Sequence, residues 1–203
     1  MAEISRVALF GKLNGVAYRA IEAATVFCKM RGNPYVELVH WLHQILQLQD
    51  SDVHRIVKHY GIDAARLVKD MVENLDRLPR GASSISDLSS HLEEAVERGW
   101  VYGSLVFKDS QVRTGYLILG MLKTRGLSNE LLAISREFAK IKGDDLMEQF
   151  TKVCGGSTED GQRPQDGSNL GATPGEASGA MPPAQMGKQE ALKQFTVDWT
   201  ERA

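Results

Sequence analysis

Cysteine is scarce in this chain: Cys28 and Cys154 are the only two in 203 residues, and they stand far apart. Two lone thiols exclude a disulfide framework and suit a reducing, cytoplasmic compartment. Charge of neither sign prevails, with 24 basic against 26 acidic residues and a formal net charge of −2. That balance argues against a phosphate-backbone partner, which calls for a basic patch. No apolar run approaches the roughly 20 residues that a membrane span requires. The opening Met1-Ala-Glu-Ile-Ser-Arg6 places an acid early and has no apolar core, so a signal peptide is not expected. Aromatics make up only 7% of the chain. What remains is ample apolar content, 42%, for a substantial core.

That content is unevenly spread. Up to Cys154 apolar residues recur at helical spacing, and alternating strand patterns are absent, so the expected class is all-α. Asn33-Pro34 offers a cap and a first-turn proline for a helix over 35–46. Ser51 is positioned to cap a helix over 53–60 that Gly61 ends as a left-handed residue. Asp63 is expected to cap 64–75, with Leu78-Pro79-Arg80-Gly81 as a connector. Ser84-Ile-Ser-Asp87 has capping-box spacing and predicts a helix to Arg98 closed by Gly99. Helices over 112–122, 128–140 and 144–150 follow. From Gly155 to about Gly187 the chain is Gly, Pro, Ser, Thr, Gln and Asp, which cannot offset its ordering entropy. Residues 154–188 are therefore expected to be a flexible linker. Apolar residues return over 189–203, which reads as the truncated start of a further module.

The two halves repeat. Val36 to Leu46 aligns without gaps on Val112 to Leu122, preceded by Ile21-Glu22-Ala23-Ala24 in one half and Leu92-Glu93-Glu94-Ala95 in the other. A duplication of about 75 residues exceeds the usual solenoid period and implies two four-helix units related by a pseudo-dyad. The domain would span 1–153, with repeats at about 1–78 and 84–153.

Candidate chemistry is thin. The phosphate loop G-x-x-x-x-G-K-[ST] is missing, because Gly11-Lys12 is followed by Leu13. No catalytic residues, metal ligands or cofactor contacts are therefore assigned in this chain. His40 and His43 lie three apart, with His54 and His59 nearby, but neither HExxH nor a cysteine partner supports a metal pair. His40 aligns with Tyr116 and reads as a packing residue with a hydrogen-bonded tip. Cys28 has no neighbouring base and reads as a small hydrophobe, while Cys154 reads as an accessible thiol. Trp41, Tyr35 and Phe27 fit core positions. Trp100 and Tyr102 fall after Gly99 in an expected loop, as an exposed contact or a plug. The stretch from Ile56 to Met71 has helix-turn-helix rhythm, so a DNA-binding regulator is the rival class. Arg66 and Lys69 there face Asp63, Asp70 and Glu73, a poor surface for phosphates.

A doubled helical repeat followed by such a linker resembles the N-terminal domain of the Clp/Hsp100 unfoldases. The tail Ala191-Leu-Lys-Gln-Phe-Thr-Val-Asp-Trp-Thr-Glu-Arg-Ala203 looks like the segment opening their first AAA+ module, although Trp199 stands where the family usually carries leucine. The run Tyr35-Val-Glu-Leu-Val-His-Trp-Leu42 and the extension Ser5-Arg-Val-Ala-Leu-Phe-Gly-Lys-Leu-Asn14 resemble the ClpV branch, the unfoldases of type VI secretion. This resemblance implies a substrate-recognition domain that captures an amphipathic N-terminal helix of the larger sheath subunit, VipB or TssC. It implies that contracted sheaths are then disassembled by a hexameric motor lying beyond this chain, where ATP and Mg²⁺ would be bound. The N-domain of a general disaggregase is the alternative within the family. By itself the domain is expected to be monomeric, with neither nucleic acid nor membrane as partner.

A helix-in-groove contact needs small or apolar residues that admit a partner helix. Ala17, Ala20, Ile21 and Ala24 form such a stripe at i, i+3, i+4, i+7, and Leu88, Leu92, Ala95 and Val96 offer the match in the second repeat. An extra N-terminal helix bearing Val7, Leu9, Phe10 and Leu13, ending at the bend Asn14-Gly15, could wall the groove. The candidate groove is thus Leu9, Phe10, Leu13, Ala17, Ala20, Ile21, Ala24, Leu88 and Leu92. The same stripe serves equally well as core.

Overall fold

The computed structural model describes residues 4–168. The rest of the expected linker, 169–188, and the expected module start, 189–203, lie outside the described residues. The chain runs α1 (Arg6–Gly11), α2 (Gly15–Arg31), β1 (Tyr35–Val36), α3 (Leu38–Gln47), α4 (Asp52–His59) and α5 (Ala64–Asp76). The second half runs β2 (Asp87–Leu88), α6 (Ser90–Leu105), α7 (Thr114–Leu122), α8 (Arg125–Ile134), a 3₁₀ turn (Arg136–Lys140), α9 (Gly143–Glu148) and α10 (Phe150–Cys154). The all-α expectation holds, with one two-residue parallel pairing added.

Local chemistry sets several of the helix starts. Asn14 caps α2 through a bond from the Ala17 amide (2.9 Å). Ser51 caps α4, and Asp63 accepts from the Arg66 amide at the head of α5. Gly61 adopts φ 64° after α4, the left-handed turn expected of it.

Four of the expected helix bounds are corrected. Asn33 does not cap the third helix. Val36 is drawn into a strand, and Glu37 caps α3 in a capping box with His40. Ser84–Asp87 does not open the sixth helix, because Asp87 and Leu88 pair with Tyr35 and Val36; Ser89 is the cap. The helix expected over 128–140 starts at Arg125 and breaks at Ser135. There the backbone is extended, and the hydroxyl accepts from the Glu137 amide and donates to Asp70 of α5 (2.6 Å).

The fourth concerns Gly99, which sits inside α6 rather than ending it. Its reason is close packing: α7 crosses so near that a Cβ on Gly120 would lie 2.8 Å from the Gly99 nitrogen and the Arg98 carbonyl carbon. Glycine is tolerated in mid-helix here because the two backbones meet.

The duplication is visible in the backbone. Leu13, just before the α2 cap, bridges in parallel to Val112 ahead of α7; Leu88, just before the α6 cap, pairs with Val36 ahead of α3. Asn14 donates to the Val112 carbonyl (3.1 Å) as Ser89 donates to the Val36 carbonyl (2.8 Å). Each repeat therefore lends its first helix's leading residue to the other repeat. This register matches Ala17 with Leu92 and Ile21 with Val96, one turn beyond the alignment of Ile21 with Leu92 expected above. α2 packs chiefly on α3, α6 on α7, and α1 on α6.

The expected linker does not begin at Gly155. Residues 155–168 pack as a strap, and Ser157, Glu159 and Gln165 are buried. One Glu159 oxygen accepts from Asn14 Nδ2 (3.0 Å) and the Thr114 amide (2.8 Å). The other accepts from the Asp52 amide (2.6 Å) and the Thr114 hydroxyl. Thus one carboxylate meets the leading ends of α2, α4 and α7, where unpaired amides and helix dipoles favour negative charge. Asp52 beside it accepts two bonds from Arg113 (2.8 and 2.7 Å) and one from Ser157 (2.6 Å). Burial first, and the Asp52 carboxylate next, push Glu159 above the usual carboxylate range, while its donors pull the other way. Composition missed this segment because its hold is polar rather than apolar.

Gly120→Ala forces α6 and α7 apart and is expected to cost about 1–3 kcal/mol, as overpacking does. Urea denaturation measures it, and an unchanged midpoint would contradict the close crossing.

Candidate docking surface

The first helix is short and amphipathic. Leu9 and Phe10 turn inward, and Arg6 anchors the outer side through Asp87 (2.7 Å) and Glu93. The structure brings the expected groove residues into one continuous core. Leu9, Phe10, Leu13, Ala17, Ala20, Ile21, Ala24, Leu88 and Leu92 are all buried, none more than 7% exposed. Leu88 lies in β2 rather than on a helix face. The Ala17 carbonyl accepts from the Trp41 indole of α3 (3.1 Å), so part of the α2 stripe is covered from within. None of the nine faces solvent.

Open apolar surface lies beside them on the same elements. Ile4 is 63% exposed, Ala8 is exposed and Val7 half-buried at α1. On α2, Val26 and Met30 (80%) point outward, and on α6 Leu105 does so. The ladder register makes Met30 and Leu105 equivalent positions of the two repeats. Sequence could not separate these from the stripe, because periodicity marks an apolar face without saying what covers it.

His40 is a core residue, as expected. Its Nδ1 accepts from the Glu37 amide (2.9 Å), and Nε2 meets Asn33 Oδ1 (2.9 Å), which fixes the neutral tautomer with Nε2 donating. Asn33 in turn donates to the Pro79 carbonyl (2.8 Å), tying α3 to the connector before the second repeat. Burial first, then the positive charge of Arg31, lower the His40 pKa to about 4. His43 stacks on Phe27 at 5.0 Å, and His54 joins the α4 capping box with Ser51. Each of these three histidines has its own local partner. Among the described residues no group of three His, Cys, Asp or Glu side chains could hold a metal ion.

Cys28 is buried as expected, its Sγ facing the Asn33 and Tyr35 carbonyls, with its pKa pushed up to about 12 chiefly by burial. Cys154 is fully buried too, which corrects the accessible thiol; α10 turns it inward under the strap. Tyr35 is half exposed, not core, because it occupies the outward position of β1. Trp100 and Tyr102 lie within α6, not in a loop, under Lys12 (5.1 Å) and Arg98 (5.6 Å) respectively.

The strap reaches this surface. Gln165 and Asp166 amides donate to the Leu13 and Gly11 carbonyls (3.0 and 2.9 Å), and Lys12 pairs with Asp166 (2.9 Å) and donates to Ser168 (2.7 Å). A separate cleft of about 360 Å³ lies between the repeats, lined by Glu37, Leu38, Leu78, His91 and Glu130 among others. None of the nine candidate residues lines it.

A duplicated helical domain with engaged histidines, buried thiols and exposed apolar patches has the make-up of a binding module. Residues 12–135 match the family model of the Clp repeat (R) N-terminal domain. The chain belongs to that family. It is 69% identical over 203 residues to the AAA+ ATPase ClpV1 of Pseudomonas aeruginosa, the match covering 100% of this chain and 22% of the relative. The chain thus spans about a fifth of that relative's length. A solved structure from work on the coevolution of the ATPase ClpV, the TssB–TssC sheath and the accessory HsiE protein is 69% identical, with a TM-score of 0.77. That match covers 79% of this chain and 99% of the other. A complex of a ClpV N-domain with a VipB peptide is 25% identical, with a TM-score of 0.67 over 78% of this chain and 97% of that one.

The depressed His40 pKa predicts an acid limb of instability. The folded state prefers neutral imidazole, so this contribution is present above pH 6.5 and is lost as pH falls toward about 4. Asp50 and Asp160, held low by Arg55 and the Gly156 amide, and Asp166, held low against the opposing effect of burial by Lys12 and Ser168, lose their contribution only at still lower pH, below the ordinary carboxylate value. Urea midpoints between pH 7 and 4 should fall less steeply in His40→Gln than in the native chain. Equal slopes would contradict the assignment.

Proposed function

We propose that this domain is the substrate-recognition module of a ClpV-type AAA+ unfoldase. It binds an amphipathic N-terminal helix of the larger type VI sheath subunit, VipB or TssC, so that an attached motor can disassemble contracted sheaths. The observation that carries this reading is the 69% identity to a solved ClpV-related domain, 99% of which is covered. A related N-domain holding a VipB peptide gives the ligand class. Such a contact is helix-in-groove recognition, with apolar anchors along one face of the peptide. We place it against α1, α2 and α6. The nine buried residues form the packed floor beneath, and Ile4, Val7 and Ala8 offer the outward apolar contacts.

The module works without chemistry of its own. ATP and Mg²⁺ would belong to the motor, and six tethered copies in a ring would raise apparent affinity through effective concentration. A cytoplasmic setting agrees with two free thiols and with the described residues, none of whose helices is long and apolar enough to cross a membrane. Against the DNA-binding alternative, the cleft between α5 and the end of α8 sets Asp70, Glu73 and Glu137 beside Arg66, Arg77 and Arg136, which gives no cationic face for DNA.

Fluorescence anisotropy with a labelled peptide spanning the VipB N-terminal helix tests the placement. Ile4→Asp and Ala8→Asp, both at exposed positions, should weaken binding about tenfold or more, the equivalent of about 1.4 kcal/mol, with an unchanged circular dichroism spectrum. Native affinity in both variants would move the docking surface elsewhere.

A further inference from the structure

Residues 155–168 do two things at once. Near their start, Glu159 closes the junction of α2, α4 and α7; near their end, Gln165 and Asp166 bond the backbone at Leu13 and Gly11, the last turn of α1 and the residues just after it. We infer that this strap couples occupancy of the α1 surface to its own attachment between Glu159 and Ser168. Partner binding tightens the strap, and release of the strap weakens the partner. The inference rests on the docking reading above.

The contacts are arranged for such coupling. α1 is held at its first turn by Arg6 on Asp87 and Glu93, and beyond its last turn by Lys12, which pairs with Asp166 and lies over the Trp100 ring of α6. Strap, α1 and α6 thus share one cation. The strap's order of attachment also matters. Counted back from Ser168, the chain first meets Lys12, then the Gly11 and Leu13 carbonyls, then the Val16 amide through Gln162, and only then the Glu159 junction. Tension or fraying from the C-terminal side therefore loosens the support of α1 before it reaches the buried carboxylate. A ligand that requires α1 in place resists that peeling, and by linkage the peeled state binds the ligand more weakly by the same factor.

Hydrogen exchange and binding together test this on the full chain, with the VipB helix peptide as probe. Saturating peptide should slow exchange of the Gln165 and Asp166 amides about fivefold or more. Glu159→Gln sets amide hydrogens against the donors of the junction. It should speed exchange over 158–166 and weaken the peptide by a similar factor while the helical spectrum is kept. Asp166→Ala, at the partly exposed end of the strap, should do the same at smaller amplitude, and it serves if Glu159→Gln unfolds. Faster strap exchange with unchanged peptide affinity in either variant overturns the coupling while leaving the docking reading intact. Failure of the native chain to bind the peptide overturns the docking reading instead. Strap amides that exchange at unstructured rates in the free native chain overturn the strap itself.

Discussion

Glu159 places a single carboxylate where three helices begin, accepting four hydrogen bonds from Asn14, Asp52 and Thr114. Without it, the leading amides of α4 and α7 and the Asn14 side chain would lose their common acceptor inside the protein, a costly loss for buried donors. Asp52 and Arg113 extend the cluster, and Ser157 and Asp160 of the strap complete the guanidinium's shell. The geometry of the domain converges on this point because α2 and α4 belong to one repeat and α7 to the other. A charge at their meeting place holds the halves in register as well as together.

The duplication explains why such a meeting place exists. Leu13 and Leu88 each cross to the opposite repeat, so the caps Asn14 and Ser89 are set by backbone bonds from the other half. Gly99 and Gly120 bring α6 and α7 into backbone contact. At the same turn of α2 stands Ala24, and Gln44 of α3 stands where α7 has Gly120, so the first repeat does not repeat the glycine contact. Two imperfect copies thus share one framework, while Asn14 alone among the equivalent caps also serves the strap.

Local signals were legible in the sequence. The caps Ser51 and Asp63 and the left-handed Gly61 act within a few residues, and the apolar period marked the helices they bound. Signals that depend on distant residues were not. Val36 and Leu88 pair across the repeats over too short a run to show alternation, and Gly99 looks like a stop until Gly120 is seen beside it. The apolar stripe from Ala17 to Ala24 was visible, but periodicity does not say whether core or partner covers it. The strap was the largest omission. Gly, Ser, Thr and Asp predict mobility, yet here Ser157, Glu159 and Asp160 are the residues that bind it down.

Membership of the Clp repeat family and the open apolar surface at α1 support the recognition role proposed above, in which the partner helix would meet α1 where the strap ends. The account therefore rests on the strap being an integral part of the fold. The most direct measurement compares the unfolding free energy of the chain ending at Cys154 with that of the chain ending at Ser168. The longer chain should be more stable by about 3 kcal/mol, the scale of losing a partner from a buried ionic cluster. Equal stability of the two would contradict the account.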